Sequence, residues 1–356
     1  MPLDRRTLLA AGLASLALPA GGSPAYAADA AFVTCCQRAD GRYEAVLLSR
    51  DGSILATELL EGRGHGAAIS ADRSRAVVFA RRPGRFAVAF DLARQRQTVL
   101  FMPPSGRLFY GHGLFSADGK LLFATENDYE NERGVLGIYD ATDGFRHVGE
   151  WDTHGIGPHE AILMADGQTI CVANGGIATH PDFPRQKLNL ATMAPSLSYL
   201  DSRTGDLIDQ AMLPSALFQL SIRHLTETSD RIWFGGQYEG SRGDSIGLVG
   251  THRRGQDPAL VEAPARLFDA LNHYVGSVAS NRDGTRVAAA SPRGGRILVF
   301  DAKTTAVISE RSLPDACGVA PLGDDFLQSG GPDLIAGARP LARHADLMWD
   351  NHLRAV

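Results

Sequence analysis

Gly64-His65-Gly66-Ala67-Ala68-Ile69-Ser70-Ala71-Asp72 and Gly111-His112-Gly113-Leu114-Phe115-Ser116-Ala117-Asp118-Gly119 are two copies of one phrase. A histidine leads into small and apolar residues, then into an Asp-containing turn and a short apolar strand. Pro158-His159-Glu160-Ala161-Ile162-Leu163-Met164-Ala165-Asp166-Gly167 is a third copy, and Arg223-His224-Leu225 running to Ser229-Asp230 is a fourth. Asn272-His273-Tyr274 before Asn281-Arg282-Asp283-Gly284 is a looser fifth, in which His273 falls in the entering loop. Ala316-Cys317-Gly318-Val319, leading to Gly323-Asp324, is a sixth with cysteine in place of histidine.

From His65 the steps to the next phrase are 47, 47, 65, 49 and 44 residues, ending at Cys317. The long step carries one extra loop over Thr179–Ser196, rich in Pro, Asn and Thr. A period of 40–50 residues with several short strands per unit is the mark of a propeller blade. The second unit reads as four strands, 114–116, 121–125, 135–140 and 146–151, with hairpin turns at Asp118-Gly119 and Asp143-Gly144. Strands at 32–34, 43–48 and 54–57 make a seventh unit. The last unit weakens after Gly331, so the stretch around Leu347-Met348-Trp349 is expected to pair with the first blade and close the ring. The fold class is therefore all-β: a seven-bladed β-propeller of four-stranded antiparallel blades, with six or eight blades as the alternatives, one domain over residues 28–356.

Composition agrees with that fold. The 356 residues are 44% hydrophobic and 21% charged, with 39 Gly and 18 Pro, a turn-rich globular mixture. The net charge of −5 and the lack of a Lys/Arg block speak against nucleic-acid binding. The one long apolar run is N-terminal. Residues 1–27 read as an export signal: Arg5-Arg6, the apolar stretch Thr7–Pro19, then Ala25-Tyr26-Ala27 for cleavage. The arginine pair before Thr7-Leu8-Leu9 looks like a twin-arginine signal, with a general secretory signal as the alternative. A periplasmic monomer with no integral membrane segment after signal removal is expected. Cys35 and Cys36 are adjacent and Cys171 sits in an apolar run, so no disulfide framework is needed.

In a propeller the innermost strand of each blade runs along the central channel. The phrase position, taken as the residue just before that strand, places His65, His112, His159 and His224 at the channel mouth, with His273 and Cys317 as secondary candidates. A histidine copied for a structural role inside each blade is the competing reading. Converging imidazoles suit copper, iron, zinc or nickel and not calcium or magnesium. Glu160 is placed to act as a carboxylate ligand or as an acceptor behind a histidine. A thiolate at Cys317 would favour copper or zinc; without it the set suits iron as well. Adjacent-blade trios such as His65, His112 and His159 fit one ion more easily than ligands from opposite blades. His147, His154, His180, His252 and His344 read as surface or loop residues, and Glu126-Asn127-Asp128 with Glu130 as a solvated acidic loop. Hydrolase, phosphate-loop, zincin and haem-attachment motifs are missing.

The twin-arginine-like start, the Gly-His-Gly and Pro-His-Glu phrases and the terminal Trp349-Asp350-Asn351-His352 resemble an uncharacterised family of exported periplasmic β-propeller proteins. Members of that family are encoded beside imelysin-type and di-haem peroxidase-like proteins. The resemblance implies a role in periplasmic iron handling, with iron-uptake proteins as partners, and carries no catalytic residues with it. Three functions follow as expectations: a propeller binding iron or copper for uptake or redox handling, a metal-free interaction scaffold, and a metal-dependent oxidoreductase.

Overall fold

The computed structural model describes residues 30–82, 84–94, 96–183 and 186–356; the export signal read over residues 1–27 lies outside them. The described chain forms seven four-stranded antiparallel sheets arranged as a β-propeller. The innermost strands are Leu347–Ala355, Gly64–Ile69, Arg107–Phe115, Pro158–Leu163, Leu220–Thr228, Ser277–Ser280 and Ala316–Leu322, one for each of blades one to seven. Each packs against the next, and the last returns to the first, so these strands line the axis.

Ring closure joins the two ends of the chain. The first blade takes Ala30–Arg38, Tyr43–Ser49 and Ile54–Leu60 from the N-terminal side and its innermost strand, Leu347–Ala355, from the C-terminal end. Phe32 pairs with Ala355, Thr34 with Leu353 and Cys36 with Trp349. Leu347, Trp349 and Leu353 are buried there. The seventh blade is more complete than the sequence suggests: Asp325–Gly330, Asp333–Ala336 and Arg339–Arg343 follow its inner strand.

The middle strands of each blade are covered on both faces by neighbouring blades, which explains their near-continuous apolar runs, such as Arg75-Ala76-Val77-Val78-Phe79-Ala80. Outer strands such as Val307–Ser312 are mostly exposed and polar. The recurring Asp holds the hairpins. The Ser70 and Ser116 hydroxyls donate to Asp72 and Asp118, and Asp118 accepts the Lys120 amide at 3.0 Å.

Packing overrides two local readings. His252 is buried, receives the Tyr199 hydroxyl contact at 2.6 Å on Nδ1 and reaches the Gln256 carbonyl through Nε2, tying the fourth blade to the fifth. Glu126, Asn127 and Asp128 lie inside the strand Leu121–Asp128 and are buried, not solvated. Arg107 bridges Glu126 and Glu150, Arg133 bridges Asp128 and Glu150, and Tyr139 donates to Glu126. Burial raises the Glu126 carboxyl to about 7 against the opposing pull of Tyr139 and Arg107. Among the described residues no helix is long and apolar enough to cross a membrane.

Candidate metal centre

The histidines do not precede the inner strands; they sit within them, at irregularities in pairing. Gly64 opposes Ala80 and Ala67 opposes Val78, leaving His65 and Gly66 facing Phe79 alone. Similar shifts fall at Tyr110–His112, at His159, at Arg223 and at Asp350–His352. An extra residue in one strand bends it and re-aims the side chains there. Five of the seven blades thereby turn an imidazole into the channel: His65, His112, His159, His224 and His352.

The rings form one cluster. Centroids are 5.0 Å apart for His65 and His112, 5.1 Å for His112 and His159, and 4.9 Å for His159 and His224. His352 lies 4.5 Å from His65, 4.7 Å from His112 and 4.8 Å from His224. Glycine makes this approach possible. A Cβ on Gly66 would stand 2.7 Å from His112 Nδ1, and one on Gly111, which has φ +99°, would stand 2.6 Å from the His65 ring. Two trios offer one nitrogen each within 4.8 Å of one another, His65/His112/His159 and His112/His224/His352. The second spans blades one, three and five, so the axis is narrow enough for ligands that are not neighbours. A triangle of that side needs each nitrogen to move inward by about 0.7 Å to reach metal–imidazole bonds of about 2.1 Å.

The second trio is the better prepared. Nε2 of His112, His224 and His352 is buried with no hydrogen-bond partner. His224 Nδ1 lies 3.2 Å from Glu160 Oε2, and His112 Nδ1 lies 3.9 Å from Glu160 Oε1. A carboxylate hydrogen-bonded to Nδ1, as at His224, holds the ring proton there and leaves Nε2 as an unpartnered lone pair, the arrangement typical behind metal-binding histidines. Glu160 also accepts the Leu225 amide at 3.1 Å and pairs with Arg354. Its carboxyl is buried, which alone would raise it, yet Arg354 and His224 hold it well below the usual carboxylate range. His65 Nδ1 faces Asp350 at 3.5 Å, and Asp350 is paired with Arg63. His159 differs: Arg223 donates to its Nδ1 at 3.3 Å, which puts its ring proton on Nε2. Burial depresses all five histidines below their ordinary value, so the rings are neutral and competent as ligands.

Two secondary candidates lie outside the cluster. His273 is in a turn with φ 57°, before the strand Ser277–Ser280, and its Nε2 reaches the Asp244 carbonyl at 2.9 Å. Cys317 occupies the corresponding irregularity of the seventh blade, but its thiol is turned to the carbonyls of Asp315 and Trp349, and burial pushes it up to about 12. The donor set at the axis is therefore imidazole with carboxylates behind it.

The cluster opens to two cavities. A wide one of about 910 Å³ has His65 and His159 on its floor and the insertion residues Thr179, His180, Pro181 and Lys187 on its wall. A smaller one of about 260 Å³ on the other side is lined by His224, His352, Glu160 and Arg354.

Residues 58–356 match the model of a family described as "Protein of unknown function (DUF1513)". The chain belongs to that family. No curated protein matches it. Among solved structures, a chain of the Kuenenia stuttgartiensis hydrazine synthase is similar with a TM-score of 0.62 and 13% identity, over 88% of this chain and 95% of that one. At that identity the likeness is one of fold.

Sequence reasoning missed His352 as a member of the cluster. It stands 35 residues after Cys317, off the repeat period, because the closing blade places its inner strand last with no outer strands following. The available signal was Asp350-Asn351-His352, polar residues breaking an otherwise strand-like ending.

Proposed function

We propose that this propeller binds a first-row transition-metal ion, iron or copper, at its axis, and serves in metal uptake or redox handling. The observation that carries the reading is that His112, His224 and His352 each bring one ring nitrogen within 4.8 Å of the others, with their Nε2 atoms buried and unpartnered and Glu160 hydrogen-bonded behind His224. Leaving such polar atoms buried without partners is costly unless something occupies the space between them. Neutral imidazoles bind copper, iron, zinc and nickel, and the absence of thiolate at the centre keeps iron in the set. The iron-uptake setting implied by the family resemblance favours iron; copper would bind such donors more tightly. The twin-arginine-like segment in residues 1–27 supports a periplasmic address.

The test is metal content and reconstitution. Protein purified with its native signal is analysed for metal, then stripped and titrated with Fe(II) and Cu(II). One equivalent bound by the wild type and lost in His112→Ala/His352→Ala is the expected result. Equal metal content in both, with both folded, would eliminate the axial site and leave the metal-free scaffold.

A further inference from the structure

The wide cavity above His65 and His159 has an electrostatic character opposite to that of the chain. The sequence carries a net charge of −5. Yet Arg63, Arg81, Arg82, Arg85, Arg223 and Arg293 line this one cavity, together with Lys187, against a single lining carboxylate, Asp315. Some of these cations are neutralised from behind. Arg63 and Arg81 face Asp350, and Arg223 and Lys187 face Glu239. Arg82, Arg85 and Arg293 form no ion pair among the described residues. Arg82 donates to Thr179 Oγ1 and lies over the Tyr110 ring, and Arg293 lies over the Tyr274 ring. Two further donors in the wall are unspent: the Tyr110 hydroxyl and Arg223 Nε are buried and make no hydrogen bond.

We infer that this cavity binds a small polyanion with oxygen donors, a polycarboxylate or a condensed phosphate, which brings the metal to the histidines as its chelate. Guanidinium forks pair with carboxylate and phosphate oxygens in two-point contacts. A cleft with walls of one sign concentrates the opposite ion and repels its own. A bare dication would approach His65 and His159 against this field; a chelate with net negative charge approaches along it. A volume of about 910 Å³ suits a small-molecule ligand. Arg223 joins the cavity to the cluster. It donates to His159 Nδ1 at 3.3 Å, and an anion that draws it away frees that nitrogen to take up the ring proton and Nε2 to ligate. The inference rests on the metal-binding reading only in making the anion a chelator; anion binding can be measured without metal.

The experiment titrates metal-free protein with citrate, with pyrophosphate and with acetate by calorimetry, at low and high salt. Citrate or pyrophosphate is expected to bind at least about tenfold more tightly than acetate, and more weakly as salt rises. The tighter of the two identifies the chelator as carboxylate or phosphate. Arg82→Ser/Arg85→Ser/Arg293→Ser, which changes only rim residues, should lose about tenfold or more of that affinity and keep the Fe(II) or Cu(II) stoichiometry of the wild type. Tyr110→Phe should lose a smaller factor. Wild-type protein that binds neither polyanion better than acetate, or a triple variant with unchanged affinity, overturns the proposal. Polyanion binding in a protein that takes up no metal would overturn the chelate role while sparing the anion site.

Discussion

Replacing Glu160 by glutamine keeps the side-chain volume and removes one negative charge beside the axis. Glu160 accepts the Leu225 amide at 3.1 Å and His224 Nδ1 at 3.2 Å on one oxygen; the other pairs with Arg354 and lies 3.9 Å from His112 Nδ1. Glutamine offers one acceptor and one donor. With its oxygen toward Leu225 and His224, its amide group faces the Arg354 guanidinium, donor against donor. With the amide reversed, it faces His224, whose ring must then accept on Nδ1 and carry its proton on Nε2. That proton occupies the lone pair a metal needs. Loss of the partner behind a metal-bound histidine typically lowers affinity about 10–100-fold, which is about 1.4–2.8 kcal/mol. The effect falls on His224, the axial ring within hydrogen-bond distance of Glu160. Competition of stripped, folded protein against a chromophoric chelator reads the change, with circular dichroism as the folding control. An E160Q affinity within about twofold of wild type would show that the carboxylate does not set the tautomer, and the reasoning would fail.

Further outcomes are expected. The five axial histidines have pKa values pushed below 6.5 by burial, so below that pH the unfolded chain takes up protons the native site refuses. Metal-free protein should lose stability as pH falls through and below about 6.5, by about 1.4 kcal/mol per pH unit for each histidine still neutral. Glu126, raised to about 7, opposes this by one proton between its unfolded value of 4.5 and 7. Urea midpoints that are flat from pH 7 to 5 would refute the neutral cluster. Truncation after Asp346 removes the strand that buries Leu347, Trp349 and Leu353. At about 1.5–3 kcal/mol each, the loss rivals the whole stability of a domain, and the product should show no cooperative thermal transition. Gly66→Ala would place a Cβ 2.6 Å from the Gly111 carbonyl and 2.7 Å from His112 Nδ1. It should lower the melting temperature and weaken metal binding together, whereas His273→Ala should leave metal binding unchanged.

Blade number and ring closure were legible because each unit repeats both its turn chemistry and its spacing. Asp72, Asp118 and Asp166 each organise a hairpin through local backbone contacts, and local chemistry survives in a sequence. Four of the five axial histidines were legible for the same reason. His273 was misleading because the sixth blade keeps the phrase but starts its inner strand four residues later, leaving Ser277 at the axis. The burial of His252 and Glu126 depends on partners in other strands and blades, Tyr199 and Arg107 among them, which no local pattern announces. The irregular pairing at each histidine was equally hidden: Gly-His-Gly implies close approach, but only the neighbouring strand reveals that one or two residues are surplus.

His352 travels on the final strand, the one hydrogen-bonded to Ala30–Arg38. An ion held by His112, His224 and His352 would rivet that strand to the third and fifth blades. Pulling on the C-terminus would then have to break coordination bonds as well as a β-ladder, so a loaded ring should resist unzipping from its end far better than an empty one.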